Sequence, residues 1–297
     1  MIALAPKLKA LYGLSRGTQA MLSVAQPVVA ALVAPGDPAP ARIVVLVVAA
    51  LTGFAAVLAL NDLVDAHLDR QRRDHTGPQG VRDIENAGGR HPVAQGQLPW
   101  GAALAWVTGL LSVTLVATAL LGWVCVVLFL AAVALEVGYC RLARTTCAKT
   151  VLSGIMIAVG ATVGWFAVTS EVDPLRLGLL VLWMVAWEIG GRNIPNDLAD
   201  VDEDTRMGIR TVPVVRGVHT SAVLVFVALV VASAASIALV LAARPGVVGL
   251  AGSVAAAVYA LLLPGVRLLR APGPSTALSA FNRASFHPVL VLIVVLA

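Results

Sequence analysis

Residues 219–242 hold no Asp, Glu, Lys or Arg, and segments of that kind recur along the whole chain. Continuous apolar runs of this length constrain folding more than any motif can. Lipid offers no hydrogen bonds, so the backbone polar groups of such a run must be satisfied within it, which a spanning helix of roughly 20 residues achieves. Nine segments are read, at about 17–34, 43–60, 99–119, 121–140, 149–169, 176–195, 219–242, 246–264 and 282–297. The runs are continuous rather than alternating, which argues against a β-barrel. The expected fold is all-α: a polytopic membrane protein, one domain over residues 1–297, with about nine transmembrane helices. Pro/Gly signals at 34–41, 244–246 and 271–275 separate several spans. The N-terminal stretch lacks the pattern of a cleaved signal peptide.

Only 12% of residues are charged, yet the net charge is +5. In a soluble chain such a balance would raise nucleic-acid binding. Here the distribution gives a different reading. With nine spans, all of the 21 Lys and Arg except Arg42, Arg176 and Arg244 fall on one side. The positive-inside rule assigns that side, with the N-terminus, to the cytoplasm of a cell-membrane protein. No nucleic acid and no obligate protein partner is expected. Cys125, Cys140 and Cys147 lack metal-ligand spacing and are read as packing residues.

An acidic phrase is written twice in this apolar chain: NDLVDAHLD at 61–69 and NDLADVDED at 196–204, both ending a span on the charged side. On a helix Asn61, Asp65 and Asp69 share one face, as do Asn196, Asp200 and Asp204, with Asp62 and Asp197 one position off. Stacked carboxylates near a bilayer repel and desolvate at a cost, so two such stripes call for a cation. Mg²⁺ suits them: a hard ion that takes carboxylates together with substrate phosphates. Two facing stripes could hold two or three Mg²⁺ ions around a diphosphate, with Asn61, Asp65, Asp69, Asn196, Asp197, Asp200 and Asp204 as the donor set. Neighbouring arginines such as Arg70, Arg206 and Arg210 could take the remaining phosphate oxygens. A pair of solvated loop acids, or a duplication without function, would leave unexplained why costly carboxylates stand in both copies.

These residues resemble the UbiA superfamily of intramembrane prenyltransferases. Asn61, Asp65 and Asp69 match its NxxxDxxxD motif after the second helix, and Asp200 and Asp204 its DxxxD motif after the sixth. GRHPVAQG (89–96) and GIRTVPV (208–214) resemble its flanking stretches, and Arg16 sits where members often place an arginine. Two positions depart from the pattern. His91 precedes Pro92 where the family has Arg, with Arg90 one step earlier. The family's Tyr-x-x-x-Lys is not met, because Ala143 follows Tyr139 and the nearest cations are Arg144 and Lys149.

The resemblance implies a nine-helix bundle around a central cavity open sideways to lipid. Asp65, Asp69, Asp200 and Asp204 become the catalytic acids, holding Mg²⁺ and the diphosphate of an isoprenoid. Lys149, then Arg144, become diphosphate contacts. Ionisation gives an allylic cation, and a small hydrophobic or aromatic acceptor attacks it. Within span 6, Glu188 and Asn193 are read as cavity residues facing the acceptor, with Arg16 and Tyr139. Gly190 and Gly191 are expected to allow close helix packing. Glu136 is read as a buried structural acid or, alternatively, as an acceptor contact, and Trp183 and Trp187 as packing or, alternatively, as aromatic faces for a cation. A terpene cyclase on the same scaffold is the rival, since the acidic phrases serve both. A transporter fits less well, because the acids gather at one face rather than at midplane.

Overall fold

The computed structural model describes residues 4–71 and 91–297, with Asp65 and residues 67–71 described by their helical backbone alone. Helices are the regular structure of the described residues, with no strand among them. A short α1 (Leu4–Leu14) precedes α2 (Gly17–Ser23) and α3 (Ala25–Val33), which form the first apolar stretch. Then follow α4 (Pro40–Gln71), α5 (Trp100–Leu121), α6 (Trp123–Leu142), α7 (Lys149–Val168) and α8 (Pro174–Trp187). The sixth span continues through a π-helical turn, Glu188–Asn193, into α9 (Ile194–Ala199), followed by α10 (Val201–Met207) and α11 (Val212–Arg216). The last spans are α12 (Val218–Ala243), α13 (Val247–Ala257) with α14 (Leu263–Arg270), and α15 (Pro274–Ala284) with α16 (His287–Leu296).

Eight helical stretches among the described residues are long and apolar enough to cross a membrane. The first expected span is shorter, Gly17–Val33, and its helix is interrupted at Val24. The final span begins earlier than its apolar pattern suggested, at Pro274, because the amphipathic α15 joins α16. A single residue divides α5 from α6. Gly122 takes φ 138°, a backbone that side-chain-bearing residues rarely adopt, and turns the chain there. Trp100 and Trp123 stand exposed at helix starts, as interfacial tryptophans do.

Both π turns sit directly before a proline. Glu188–Asn193 precedes Ile194–Pro195, and Val258–Leu262 precedes Leu263–Pro264. A proline ring inside a helix lacks an N–H and clashes with the carbonyl four residues back. Widening the preceding turn relieves that clash without ending the span. In the sixth span Gly190 and Gly191 then let α12 and α15 approach. A Cβ on Gly190 would lie 2.7 Å from Ala228 Cβ, and one on Gly191 2.9 Å from Ala284 Cβ.

Two of the three arginines that break the charge bias, Arg42 and Arg176, have structural employment. Arg42 donates through Nε to Ala167 O and through Nη2 to Leu121 O, closing the C-terminal ends of α7 and α5. Arg176 reaches Val33 O at the end of α3 and pairs with Asp173 at 3.2 Å. Cations at helix C-termini satisfy orphan carbonyls and complement the dipole. A topology charge on this face is disfavoured, and these two bind the bundle's far end instead.

The main core gathers α3, α7, α8, α12 and the last spans around Trp165, Trp183 and Trp187. Its closest approach is Gly164 of α7 against Pro27 of α3, where an added Cβ would overlap the Pro27 carbonyl. Gly164→Ala should therefore cost about 2–3 kcal/mol through overpacking. Gly178→Ala, a helical glycine with open space around it, should be neutral or stabilising by up to about 1 kcal/mol. Thermal unfolding of both variants in detergent reads the difference; equal shifts would mean that α3 and α7 separate freely.

Candidate active site

The first phrase lies on an unbroken helix. α4 runs through to Gln71, so the backbone carries Asn61, Asp65 and Asp69 along one face as the spacing predicts. The side chains of Asp65, Asp69 and Arg70 lie outside the described residues, as does the chain from 72 to 90, with Arg90.

The second phrase departs from the expected single stripe. α9 ends at Ala199, Asp200 takes φ −106° and ψ 13°, and α10 starts afresh at Val201. The Asp200 carbonyl receives the N–H groups of Glu203 and Asp204, so Asp200 serves as the N-cap of α10. Asp204 is buried at the first turn of that helix, while Asn196 and Asp200 are half-buried.

Upstream, the π turn resets the rotation of the sixth span. Five residues separate Glu188 from Asn193, and four separate Asn193 from Asp197. Across one widened turn and one normal turn, all three meet α7. Ser153 Oγ donates to Glu188 Oε1 at 2.7 Å, Thr150 Oγ1 to Asn193 Oδ1 at 2.6 Å, and Lys149 Nζ to Asp197 Oδ1 at 2.9 Å. Asn193 Nδ2 also reaches Tyr139 OH at 3.5 Å, and the Lys149 ammonium lies 5.7 Å from the Tyr139 ring centre. On an undisturbed α-helix the face below Glu188 would have carried Asn196 instead.

Asp62 and Asp197, the second residues of the two phrases, are both buried and both matched to a basic partner. Asp197 takes Lys149 in an ion pair with each side chain about nine-tenths or more buried. Asp62 Oδ1 lies 2.8 Å from Nδ1 of His91, at 3% exposure. His91 has a left-handed backbone, φ 50°. Its departure from the family pattern thus places a ring nitrogen on the first phrase's own carboxylate. Asp197, expected among the metal donors, and Lys149, expected among the diphosphate contacts, are thus held against each other.

A cavity of about 110 Å³ opens between these elements. Asn61 of α4, Glu136 and Tyr139 of α6, Ser153 of α7, and Glu188, Arg192, Asn193 and Asn196 of the sixth span line it. Arg16 enters from the opposite wall. It sits in the αL region, φ 43° and ψ 53°, between α1 and α2, with Tyr12 OH and Thr18 Oγ1 joined across the break at 2.7 Å. Such a backbone at a non-glycine residue is strained and held by its surroundings. Arg144, Arg206 and Arg210 are exposed and do not line the cavity.

Glu136, weighed as a structural acid or an acceptor contact, lines the cavity and accepts from Asn61 Nδ2 at 3.2 Å and Cys140 Sγ at 3.4 Å. Other lining residues were not singled out from the sequence. Arg192 donates to Ser285 Oγ at 3.1 Å and stacks 4.4 Å from the Phe281 ring. Gln19 and Ser23 extend the line of Arg16 along α2. Their spacing, three and seven positions after Arg16, is a polar helix face inside an apolar segment, a signal present in the sequence. Trp183 and Trp187, weighed as aromatic faces, line no part of it. They are fully buried and donate to His287 Nδ1 and Ala284 O.

A second cavity of about 80 Å³ adjoins the first and shares Phe54, Val57, Met156 and Ile157 with it. Its wall is apolar apart from Thr114 and Thr118, and runs between α3, α4, α5, α6 and α7. Polar groups thus gather where the phrases begin, and an apolar chamber extends from there into the bundle.

The UbiA prenyltransferase family matches residues 22–287 of the chain. The fold is shared with a UbiA homologue from Aeropyrum pernix K1 in its apo form, at a TM-score of 0.76 and 19% identity over 93% of this chain and 96% of that one. A UbiA homologue from Archaeoglobus fulgidus bound to DMAPP and Mg²⁺ superposes at 0.69 with 14% identity, covering 97% and 99%. A digeranylgeranylglyceryl phosphate synthase gives 0.67 with 16% identity, covering 97% of each chain. No curated protein matches the sequence.

The buried Lys149–Asp197 pair makes a prediction of its own. Asp197→Leu or Lys149→Met alone leaves an uncompensated charge in the bundle and should cost about 3–5 kcal/mol. The double variant should cost clearly less than either single change. A thermal-unfolding cycle in detergent measures this, and simple additivity would show that the two groups are not coupled.

Proposed function

The chain belongs to the UbiA prenyltransferase family, and from that premise we propose that it ionises an isoprenoid diphosphate in a Mg²⁺-dependent step and transfers the prenyl group to an aromatic or other small hydrophobic acceptor. The observation that carries this reading is the pairing of two adjoining chambers, a polar one at the starts of the acidic phrases and an apolar one beside it.

The donor chemistry fits the metal. Asn196, Asp200 and Asp204 offer oxygen atoms, the ligands of a hard cation. Among the described residues no three His, Cys, Asp or Glu side chains converge to hold an ion. Asp200 and Asp204, with Asp65 and Asp69 of the first phrase and with Asn61 and Asn196, form the proposed ligand set. When bound, Mg²⁺ neutralises charge on the departing diphosphate.

The chain's own groups do the rest. The shared wall of Phe54, Val57, Met156 and Ile157 leads the isoprenoid tail into the apolar chamber, where the absence of water shelters an allylic cation. The C–O bond at the allylic carbon breaks, and its electron pair leaves with the diphosphate. An acceptor held by Arg16, Tyr139, Glu188 and Asn193 supplies the electrons of the new bond, and its displaced proton passes to a carboxylate. Arg144, Arg206 and Arg210, exposed on the phrase-bearing face, are suited to meeting the diphosphate on arrival rather than within the cavity. A cyclase would need an apolar contour around the cation; the polar side chains lining the larger chamber favour an acceptor.

Incubation of purified protein with Mg²⁺ and C10 to C25 prenyl diphosphates, with aromatic acceptors present or absent, tests the reading by mass spectrometry. Prenylated acceptor is expected, lost on chelation and lowered about a thousandfold or more in Asp200→Ala. A cyclic hydrocarbon formed without acceptor would assign the chain to the cyclases instead.

Membrane orientation is part of the same proposal. The charge bias puts the N-terminus and both phrases in the cytoplasm, and nine crossings put Ala297 on the other side. Alkaline phosphatase fused after Ala297 should be active in a bacterial host; an inactive, stably expressed fusion would reverse the assignment.

A further inference from the structure

Resting on the prenyl-transfer reading, we propose that Gly160 sets the length of isoprenoid tail this chain accepts, leaving room for two or three isoprene units and no more.

Three glycines stand on α7, and two of them have a packing reason. A Cβ on Gly164 would overlap the Pro27 carbonyl, and one on Gly154 would lie 3.2 Å from Val185 Cγ1. Gly160 has no such neighbour. A Cβ there would meet nothing within 4 Å, and its backbone is ordinary helix. A glycine inside a helix weakens it relative to alanine, so an unconstrained one calls for another reason. The apolar chamber supplies it. Gly160 lines that chamber with Met156 and Ile157, four and three positions before it, and Val163, three positions after it. It therefore stands in the middle of the helix face turned to the void. A side chain at this position would lie back over the preceding turn, across the path that leads from the shared wall to the far end.

The chamber has a floor. Away from the polar cavity its last lining residues are Leu46 on α4, Thr118 on α5 and Val163 on α7. About one turn beyond them lie Arg42 and the two carbonyls it holds, those of Leu121 and Ala167. Leu46, Leu121, Val163 and Ala167 pack there in one buried cluster with Ala31 and Cys125. From the shared wall to this floor, α4 runs from Val57 to Leu46 and α7 from Met156 to Val163, about 16 Å and about 10 Å of helix. With carbon–carbon bonds of about 1.5 Å, an extended isoprene unit covers about 5 Å, so two to three units fill that depth. The hydroxyls of the wall are already engaged: Thr114 Oγ1 donates to Leu110 O at 2.9 Å and Thr118 Oγ1 to Thr114 O at 2.8 Å. Such a lining matches hydrocarbon and disfavours a polar group on the tail.

The probes are C10, C15, C20 and C25 prenyl diphosphates and their S-thiolodiphosphate analogues, which resist ionisation. Calorimetry on the purified full chain with Mg²⁺ measures binding of each analogue, and released diphosphate measures turnover of each substrate with aromatic acceptors present or absent. Detergent takes up longer tails more strongly for every variant alike, so ratios between variants read the chamber itself. Wild-type protein should prefer C10 and C15 over C20 and C25 by about tenfold or more, the discrimination a hydrophobic pocket gives against a tail that overfills it. Gly160→Leu should lower the C15-to-C10 ratio about tenfold, in binding and in turnover, and Gly160→Ala should lower it about threefold. Gly178→Leu puts the same side chain on another helical glycine with open space around it that lines neither chamber, and should leave the ratio unchanged. The inference is overturned if wild-type protein takes C20 or C25 as well as C15, or if no analogue binds. It is overturned equally if both Gly160 variants keep the wild-type ratio, if Gly160→Leu weakens every length alike, or if Gly178→Leu shifts the ratio as much. Analogue binding with the expected preference but no diphosphate release from any substrate would instead remove the prenyl-transfer reading and leave the tail-length assignment standing.

Discussion

The seam between α7 and the sixth span is the contact on which the site depends. Three side chains of α7, Lys149, Thr150 and Ser153, each hold one polar residue of the facing helix. In a bilayer interior a polar group without a partner is expensive, so these three bonds fix both the depth and the rotation of the sixth span. They can form together only because the turn from Glu188 to Asn193 is π-helical. Pro195 provides the local cause of that turn, and Gly190 and Gly191 remove the side chains that would hold α12 and α15 away from it. One extra residue in one turn thereby converts a proline irregularity into a cavity wall.

The two ends of the bundle use charge in opposite ways. On the far face Arg42 and Arg176 are bound to helix C-termini and serve as mechanical ties. On the phrase-bearing face several arginines stay exposed, while Arg16 and Arg192 turn inward.

The repeated phrase has a division of labour. Its second residue, Asp62 in one copy and Asp197 in the other, is buried against His91 or Lys149 and anchors the chain that approaches its helix end. Its first residue, Asn61 or Asn196, lines the cavity. The later acids differ between the copies, because α4 is continuous where the second phrase breaks at Asp200. Repetition in sequence thus reflects a shared need for an anchor and a lining residue at two helix ends, rather than two identical stripes.

Eight of the nine apolar stretches read in the sequence recur as helices long enough to cross a membrane, because apolar length is a one-dimensional property: lipid thickness sets it residue by residue, whatever the neighbours. The gathering of both phrases at one face follows from the same count, and so does the separation of the charges. The packing role of Gly190 and Gly191, and the cavity positions of Arg16, Tyr139, Glu188 and Asn193, were readable from residue type and resemblance. Tertiary structure alone decided which acid meets which partner. Asp197 was placed off the stripe by a regular 3.6-residue period, and the π turn rotated it onto Lys149. For Glu136 the sequence left two readings, structural acid or acceptor contact, and α6 presents it to the cavity beside Asn61, while Gln19 lay unremarked in an apolar run. Pairings of this kind depend on how neighbouring helices are rotated about their axes. That rotation is set by contacts summed over the whole bundle, and no single segment encodes it.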